Sequence, residues 1–409
     1  MSELNRNSLE SVRYLLGQFP IVALLGARQV GKSTLMRMIW PNAPLFDLEN
    51  EQDRQRINQD PAFFLQQHEA PVCFDEAQLS PDLFKALRVA VDQQRHVPGQ
   101  YLISGSSSPQ LLKNISESLA GRVAIYEMGG LMANEAYAQS PSSLYECILQ
   151  KKPEALFDLP VRFDTQQLSA LCYYGGYPEP FLKRQDAVFH DQWTENYLRT
   201  YIDRDIRALF PTLKLNTYHR FMNMLAIHSG QLINANQFAN SLDVSQPTIK
   251  HYLEIAEGTF LWRSLPSFQK NLGKRLIKMP KGYLRDTGLL CRLLKIHSAE
   301  DLMNHPHYGA IWESFIIEQI IQNMKTQLRS FDYYFYRTQH QAEVDFVLSG
   351  AFGLVPIEIK TGLKTDSARI KSLLAFMEDY DCPYGLVINN SEQPAYLTPN
   401  IIQLPAGCL

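Results

Sequence analysis

The stretch Ile21-Val22-Ala23-Leu24-Leu25-Gly26-Ala27-Arg28-Gln29-Val30-Gly31-Lys32-Ser33-Thr34 decides how the first part of the chain folds. Five consecutive apolar residues form a short run suited to a strand buried on both faces. Two glycines follow, Gly26 and Gly31, and a helical run opens at Lys32. Glycine permits a sharp turn and close backbone approach. Such a turn aims successive N–H groups inward beside a helix N-terminus and cradles phosphate oxygens. Gly26, Ala27, Arg28, Gln29, Val30, Gly31, Lys32, Ser33 and Thr34 are therefore the expected nucleotide contacts. Lys32 is expected to reach the β- and γ-phosphates, and Ser33 to ligate Mg²⁺ through its hydroxyl. ATP and Mg²⁺ are the expected cofactors. Arg28 and Gln29 have no separate role by residue type.

Further apolar runs at 45–48, 72–74, 101–104 and 123–126 alternate with helix-like stretches. That alternation predicts an α/β fold with a parallel sheet and helices on both faces. The run Val72-Cys73-Phe74 ends in Asp75-Glu76. Asp75 is placed to hold the Mg²⁺ shell, and Glu76 to polarise the attacking water as general base. The alternative is a strand ending in a solvated turn. Another run ends in Ser104-Gly105-Ser106, where Ser106, or else Ser104, is placed to touch the γ-phosphate. The same Ser106-Ser107-Ser108-Pro109 is also a helix N-cap signal. Arg122 follows Ala120-Gly121 and precedes the last of these runs. It is expected to act as an arginine finger on a nucleotide bound by a neighbouring subunit, which implies a homo-oligomer. The alternative is a charge complementing a helix C-terminus.

A chain of 409 residues is too long for one compact core, so several domains are expected. A net charge of −3 excludes a generally basic, nucleic-acid-coating protein and leaves DNA contact to a local patch. The six cysteines are scattered without metal-ligand spacing and read as reduced thiols of a cytoplasmic protein. No apolar stretch reaches the ~18 residues that a membrane span needs. The divisions expected are 1–140 for the phosphate-loop core, 141–213 for a helical segment, 214–300 for a middle domain and 301–409 for a C-terminal domain. Within 161–210, Arg199 and Asp203 stand four apart and are expected to pair on a helix face. Residues 237–255 read as helix, turn, helix, with Leu242, Val244, Ile249 and Leu253 as packing positions. A basic two-strand ribbon with Lys270, Lys274, Arg275, Lys278 and Lys281 follows. Together they make a winged-helix-like pattern, able either to contact DNA or to pack internally.

From residue 308 the pattern is helix, three strands (333–337, 342–348, 353–360), helix (367–380) and a last strand (384–389). Period-two alternation puts Glu358 and Lys360 on one face, and Asp345 on the neighbouring strand can face Glu358. Two carboxylates and a lysine suit metal-assisted phosphodiester hydrolysis. Asp345 and Glu358 would bind Mg²⁺ or Mn²⁺, Lys360 would orient the water, and Glu313 could complete the shell. The plain alternative is a solvated, alternating charged strand.

These segments resemble a known family. Gly26–Ser33, Asp75-Glu76-Ala77-Gln78, Ser104-Gly105-Ser106-Ser107 and Leu119-Ala120-Gly121-Arg122 look like the AAA-type P-loop ATPases. More narrowly, they look like a prokaryotic family that joins such an ATPase to a C-terminal domain of unknown function related to restriction endonucleases. The resemblance implies a helical lid begun by Gly175-Gly176-Tyr177-Pro178, with Gly176 and Pro178 closing over the nucleotide base. The order helix, three strands, helix, strand, with Asp345 and Glu358-Ile359-Lys360, resembles the PD-(D/E)xK nuclease superfamily, although Val344 stands where the motif has proline. The function expected is an ATPase controlling a nuclease-like domain that acts on DNA. The alternative is a nucleotide-dependent switch or assembly protein whose C-terminal domain is an interaction module.

Overall fold

The computed structural model of the chain describes residues 4–409, apart from 107, 208–209, 270–278, 339–341 and 364–366. The chain divides into two compact units, residues 1–130 with 258–260, and residues 131–257 with 261–409.

The first unit holds a five-stranded, wholly parallel sheet. Its strands are β1 (Ile21–Leu25), β2 (Leu45–Asp47), β3 (Val72–Asp75), β4 (Tyr101–Gly105) and β5 (Val123–Glu127), in the order β2-β3-β4-β1-β5. Each expected apolar run is a strand, with ends within one residue. β1 lies between β4 and β5, and all five of its residues are buried, which is why it reads as an unbroken apolar run. Leu25 pairs with Gly105, and Phe74 with Ile103. The carboxyl ends of β1, β3 and β4 therefore stand side by side. An open parallel sheet binds its ligands at this edge.

The second unit begins with helices, among them Thr165–Tyr174, Pro178–Leu182 and Ala187–Thr200. The last runs directly into a π turn, Tyr201–Ile206. This turn breaks the four-residue row, and Asp203 pairs with His219 Nε2 at 2.6 Å rather than with Arg199 as expected. Helices Ala235–Leu242 and Gln246–Gly258 form the helix-turn-helix. Leu242, Ile249 and Tyr252 are buried, while Leu253 and Val244 are half-buried, so Tyr252 takes the packing place expected of Leu253. A three-stranded antiparallel sheet accompanies them, β6 (Gln231–Leu232), β7 (Trp262–Leu265) and β8 (Lys281–Leu284), in the order β6-β8-β7. Of the expected basic ribbon, Lys270, Lys274, Arg275 and Lys278 lie outside the described residues. Lys281 is not an exposed ribbon residue, because it opens β8 and is buried.

The C-terminal part follows the expected order. It has helix Tyr308–Thr326, β9 (Phe331–Arg337), β10 (Glu343–Gly350), β11 (Gly353–Ile359), helix Ser367–Asp379 and β12 (Gly385–Asn389). β9, β10 and β11 are antiparallel neighbours, and β12 lies parallel to β11. The sheet does not end there. β13 (Ala395–Thr398) and β14 (Ile401–Pro405) extend it to the order β13-β14-β12-β11-β10-β9. Pro394, Pro399 and Pro405 punctuate this tail, so it has no period long enough to read as strand. No helix among the described residues is long and apolar enough to cross a membrane.

Candidate nucleotide site and C-terminal carboxylate cluster

The loop after β1 is shaped by close contacts. A Cβ on Gly26 would lie 2.3 Å from the Met128 carbonyl oxygen, so only glycine fits there. Gly31 takes φ 101°, a left-handed conformation, and caps helix Lys32–Ile39 without offering a side-chain acceptor to its first turn. The first-turn amides thus suit an external phosphate oxygen. Lys32 is buried, and its Nζ donates to the carbonyls of Gly26 and Ala27, each at 3.0 Å. Arg6, to which no sequence signal pointed, braces the loop. Its guanidinium donates to the Val30 carbonyl at 2.8 Å and to those of Gly129 and Gly130 at 2.8 and 3.1 Å. Arg28 pairs with Glu49. Thr34 is exposed on the first turn.

Asp75 and Glu76 end β3 at the same edge. One Asp75 oxygen accepts from the Ser33 hydroxyl and the other from the Ser104 hydroxyl. The two expected Mg²⁺ ligands are therefore in direct contact, and both are hard oxygen donors suited to that ion. Glu76 adopts φ 54°, a left-handed conformation that side-chain-bearing residues rarely take. Its Oε2 accepts from the Ser106 N–H (3.0 Å), the Ser106 hydroxyl (2.6 Å) and Gln78 Nε2 (2.6 Å). Its Oε1 stands 3.7 Å from Lys32 Nζ. Burial works to raise the Glu76 pKa, but Lys32 and the bonds from Ser106 and Gln78 outweigh it and hold the group below the ordinary range. Glu76 is thus kept as a carboxylate, the form a general base requires. Ser106 stands against Glu76, and Ser104 against Asp75.

Arg122 forms a two-pronged pair with Asp92, through Nε at 2.7 Å and Nη2 at 2.8 Å, while Nη1 donates to the Ala120 carbonyl at 3.0 Å. In the second unit, the Gly176 N–H donates to Asp286 Oδ2 at 2.7 Å, and Pro178 opens helix Pro178–Leu182. A Cβ on Gly175 would lie 2.5 Å from Asp286 Oδ1. Asp286 is half-buried. Burial pushes its pKa up to about 6, against the pull of the backbone N–H groups of Leu289, Gly176 and Gly288.

The C-terminal residues also converge. A register shift between Val344 and Val347 places Asp345 at a bulge of β10, a device that re-aims a strand side chain. Phe346 pairs with Ile357 across β10 and β11, which sets Asp345 beside Glu358. Asp345 Oδ2 accepts from the Ile359 N–H at 2.9 Å and lies 3.5 Å from Lys360 Nζ. Lys360 Nζ stands 2.7 Å from Glu358 Oε1. Glu358 is 0% exposed, and its Oε2 has no hydrogen-bond partner among the described residues. Burial, with Asp345 beside it, pushes the Glu358 pKa up to about 8 against the pull of Lys360 and Arg369. Burial likewise pushes Glu313 up to about 7, against the pull of Lys281. Among the described residues no group of three carboxylate, histidine or cysteine side chains is placed to hold a metal ion, and Glu313 and Glu358 meet cations of the chain itself, Lys281, Lys360 and Arg369. The expectation of a solvated charged strand fails, because Asp345 and Glu358 are both buried. Glu343, Arg369 and Lys281 join the same cluster; the sequence pattern had placed Lys281 in the basic ribbon and had not singled out the other two.

The geometry of the nucleotide site agrees with comparison to known proteins. Residues 18–137 match the model of an AAA domain, which supports ATP binding and hydrolysis. Residues 165–300 match a domain of unknown function (DUF8612), and residues 308–409 another (DUF4143). The fold and phosphate loop of the first unit are those of an AAA-family P-loop ATPase. Uncharacterised proteins of Mycobacterium tuberculosis and Mycobacterium bovis are each 33% identical over 98% of this chain and 83% of their own length, and the chain belongs to their family. Among solved structures, a Walker-type ATPase of Pyrococcus abyssi is 15% identical, with TM-score 0.45 over 71% of this chain and 96% of its own. The RuvB Holliday junction branch migration motor of Thermotoga maritima is 16% identical, with TM-score 0.31 over 64% of this chain and 90% of its own.

Proposed function

We propose that the chain hydrolyses ATP and that its nucleotide state controls a C-terminal, metal-dependent nuclease-like domain acting on DNA. The observation that carries the reading is the convergence of Asp345, Glu358 and Lys360 in a buried cluster, in a chain whose Lys32, Ser33, Asp75 and Glu76 meet at the sheet edge. ATP with Mg²⁺ would supply the phosphoanhydride bond and the charge that polarises it. Lys32 and the loop amides bind phosphate, Ser33 and Asp75 hold the metal, and Glu76 takes the proton of the attacking water. At the second site, Asp345, Glu358 and Glu313 would hold Mg²⁺ or Mn²⁺, with Lys360 at the reacting water. Arg122 would serve a neighbouring subunit of a homo-oligomer by leaving its two-pronged pair with Asp92 and its bond to the Ala120 carbonyl. Gly176 and Pro178 are assigned to the lid, the helix-turn-helix to DNA contact, and the protein to the cytoplasm.

The test uses purified full-length protein with Mg²⁺ or Mn²⁺, with and without ATP, on plasmid and single-stranded DNA. Cleavage lost in Lys360→Ala, and ATP turnover lost in Lys32→Ala, are expected. Turnover that survives Lys32→Ala removes the nucleotide assignment. Absent cleavage, or cleavage unchanged in Lys360→Ala, removes the nuclease assignment. It would favour a second reading, a nucleotide-dependent switch with the C-terminal domain as an interaction module. The ion pairs that Lys281 and Arg369 make with the cluster favour that reading, because they partly satisfy it from within.

A further inference from the structure

The second unit holds a cavity of about 580 Å³, a size that takes a small ligand. Its walls are helix Ala187–Thr200, the π turn Tyr201–Ile206, helix Leu215–Ile227, and helix Thr287–Leu293 with the turn after it. Leu198, Ile202, Met222 and Leu293 give it an apolar lining, and Ile202 and Met222 are buried. Two of the walls carry irregular backbone. A π turn is rare and is found mostly at functional sites. On another wall Lys295 takes φ 59°, a left-handed conformation. Its N–H donates to the Arg292 carbonyl at 3.1 Å, and the Ile296 N–H donates to that of Cys291 at 2.9 Å. This pattern ends a helix at a position that glycine ordinarily fills, because a Cβ is strained there. Lysine costs stability at that place and adds nothing to the turn. What it adds is a cation beside the cavity.

The charges of the cavity are unevenly matched. Glu195 Oε2 accepts from Arg292 at 2.7 and 3.0 Å, and Asp203 is bonded to His219 at 2.6 Å. Both carboxylates therefore have partners. Arg199, which loses Asp203 to His219, and Lys295 have no hydrogen bond or ion pair among the described residues. We infer that this cavity binds a small phosphate-bearing molecule with a flat, largely apolar body, the chemistry of a nucleoside monophosphate, and that Arg199 and Lys295 hold its phosphate. A phosphate monoester carries close to two negative charges at neutral pH, against one for a carboxylate, so two unpaired cations suit it. The planar guanidinium fork matches phosphate oxygens, and the ammonium acts beside it as a point charge. The apolar lining suits the faces of a ring, and the Asn223 amide can both donate to its edge and accept from it. The phosphate loop belongs to the first unit and takes no part in this site.

Fluorescence titration of the full chain with N-methylanthraniloyl-AMP tests this, in Lys32→Ala protein so that the phosphate loop does not contribute. Saturable binding is expected, displaced by AMP and not by adenosine. Arg199→Gln and Lys295→Gln are each expected to weaken it about tenfold, the loss of one hydrogen bond to a charged group. Lys295→Gly separates binding from folding. It supplies the glycine that the turn prefers, so its thermal midpoint is expected to equal or exceed that of the parent while the probe binds about tenfold more weakly. Binding unchanged in both Arg199→Gln and Lys295→Gly overturns the proposal, because the probe then sits elsewhere. Displacement by adenosine as readily as by AMP overturns it too, since the cavity would not be reading phosphate. Absence of saturable binding overturns it outright.

Discussion

Glu76 shows how much a single side chain owes to its neighbours. Burial alone would push this carboxyl toward its neutral form, which cannot accept a proton from water. Lys32 and the donors of Ser106 and Gln78 reverse that tendency. A hydrogen bond to a charged group is worth about 1.5–3 kcal/mol, so removing the Ser106 hydroxyl has a visible effect. Ser106→Ala is expected to raise the pKa of Glu76, because the charged form loses a donor. KM for ATP should stay nearly unchanged, and the acid limb of the pH–rate profile should move to higher pH. A profile whose acid limb stays in place would show that the hydroxyl does not hold the base. Glu76 and Ser106 were each legible in the sequence as strand-end polar residues. Their contact was not, because it depends on β3 and β4 being neighbours and on the left-handed turn at Glu76.

The phosphate loop depends on parts outside itself. Arg6 donates to carbonyls of Val30, Gly129 and Gly130, which lie 24, 123 and 124 residues away along the chain. No local pattern marks such a residue, since its partners are backbone groups of the kind every position carries. Arg6→Ala leaves those buried carbonyls unpaired. A loss of about 2–3 kcal/mol in stability is expected, together with weaker ATP binding, and urea denaturation and equilibrium titration check both. Stability within 0.5 kcal/mol of the wild type, roughly the ordinary surface range, would mean that Arg6 does not brace the loop. Gly26→Ala should act more severely, because its Cβ meets the backbone oxygen of Met128 and no rotamer relieves the clash. ATP binding should be lost while the far-UV spectrum is kept. Lys281 was misread for the same reason that Arg6 was missed. In the sequence it extends a basic run, and the carboxylates that bury it stand 32 and 62 residues later.

Across the chain, the topology was the most legible property, because short apolar runs bounded by turn residues stand apart from the longer, 3.6-residue periods of the helices. The charges of the second unit were legible as residues and not as states. Burial first, and neighbouring groups second, decide how each titrates. Asp286, Glu313 and Glu358 have pKa values raised to about 6, 7 and 8. Each binds a proton in the folded chain at a pH where the unfolded chain has released it. Their contribution to stability is full below the unfolded carboxyl range, near 4, and is lost as pH rises through the folded values. Glu318 has the opposite sign. Burial opposes its ionisation, but Arg263 and Arg285 outweigh burial and hold it far below the ordinary range, so its contribution is lost only in strong acid. Between pH 8.5 and 6 the raised group dominates. With EDTA present, the thermal midpoint of the full chain is therefore expected to rise as pH falls through that window, by about 2–4 °C for each kcal/mol recovered. Glu358→Gln, which cannot ionise, should raise the midpoint at pH 8.5 and flatten the slope. Calorimetry at a series of pH values decides it. A midpoint higher at pH 8.5 than at pH 6, or a slope unchanged by Glu358→Gln, would mean that the buried carboxylates of the cluster are neutralised by their lysines and arginine alone.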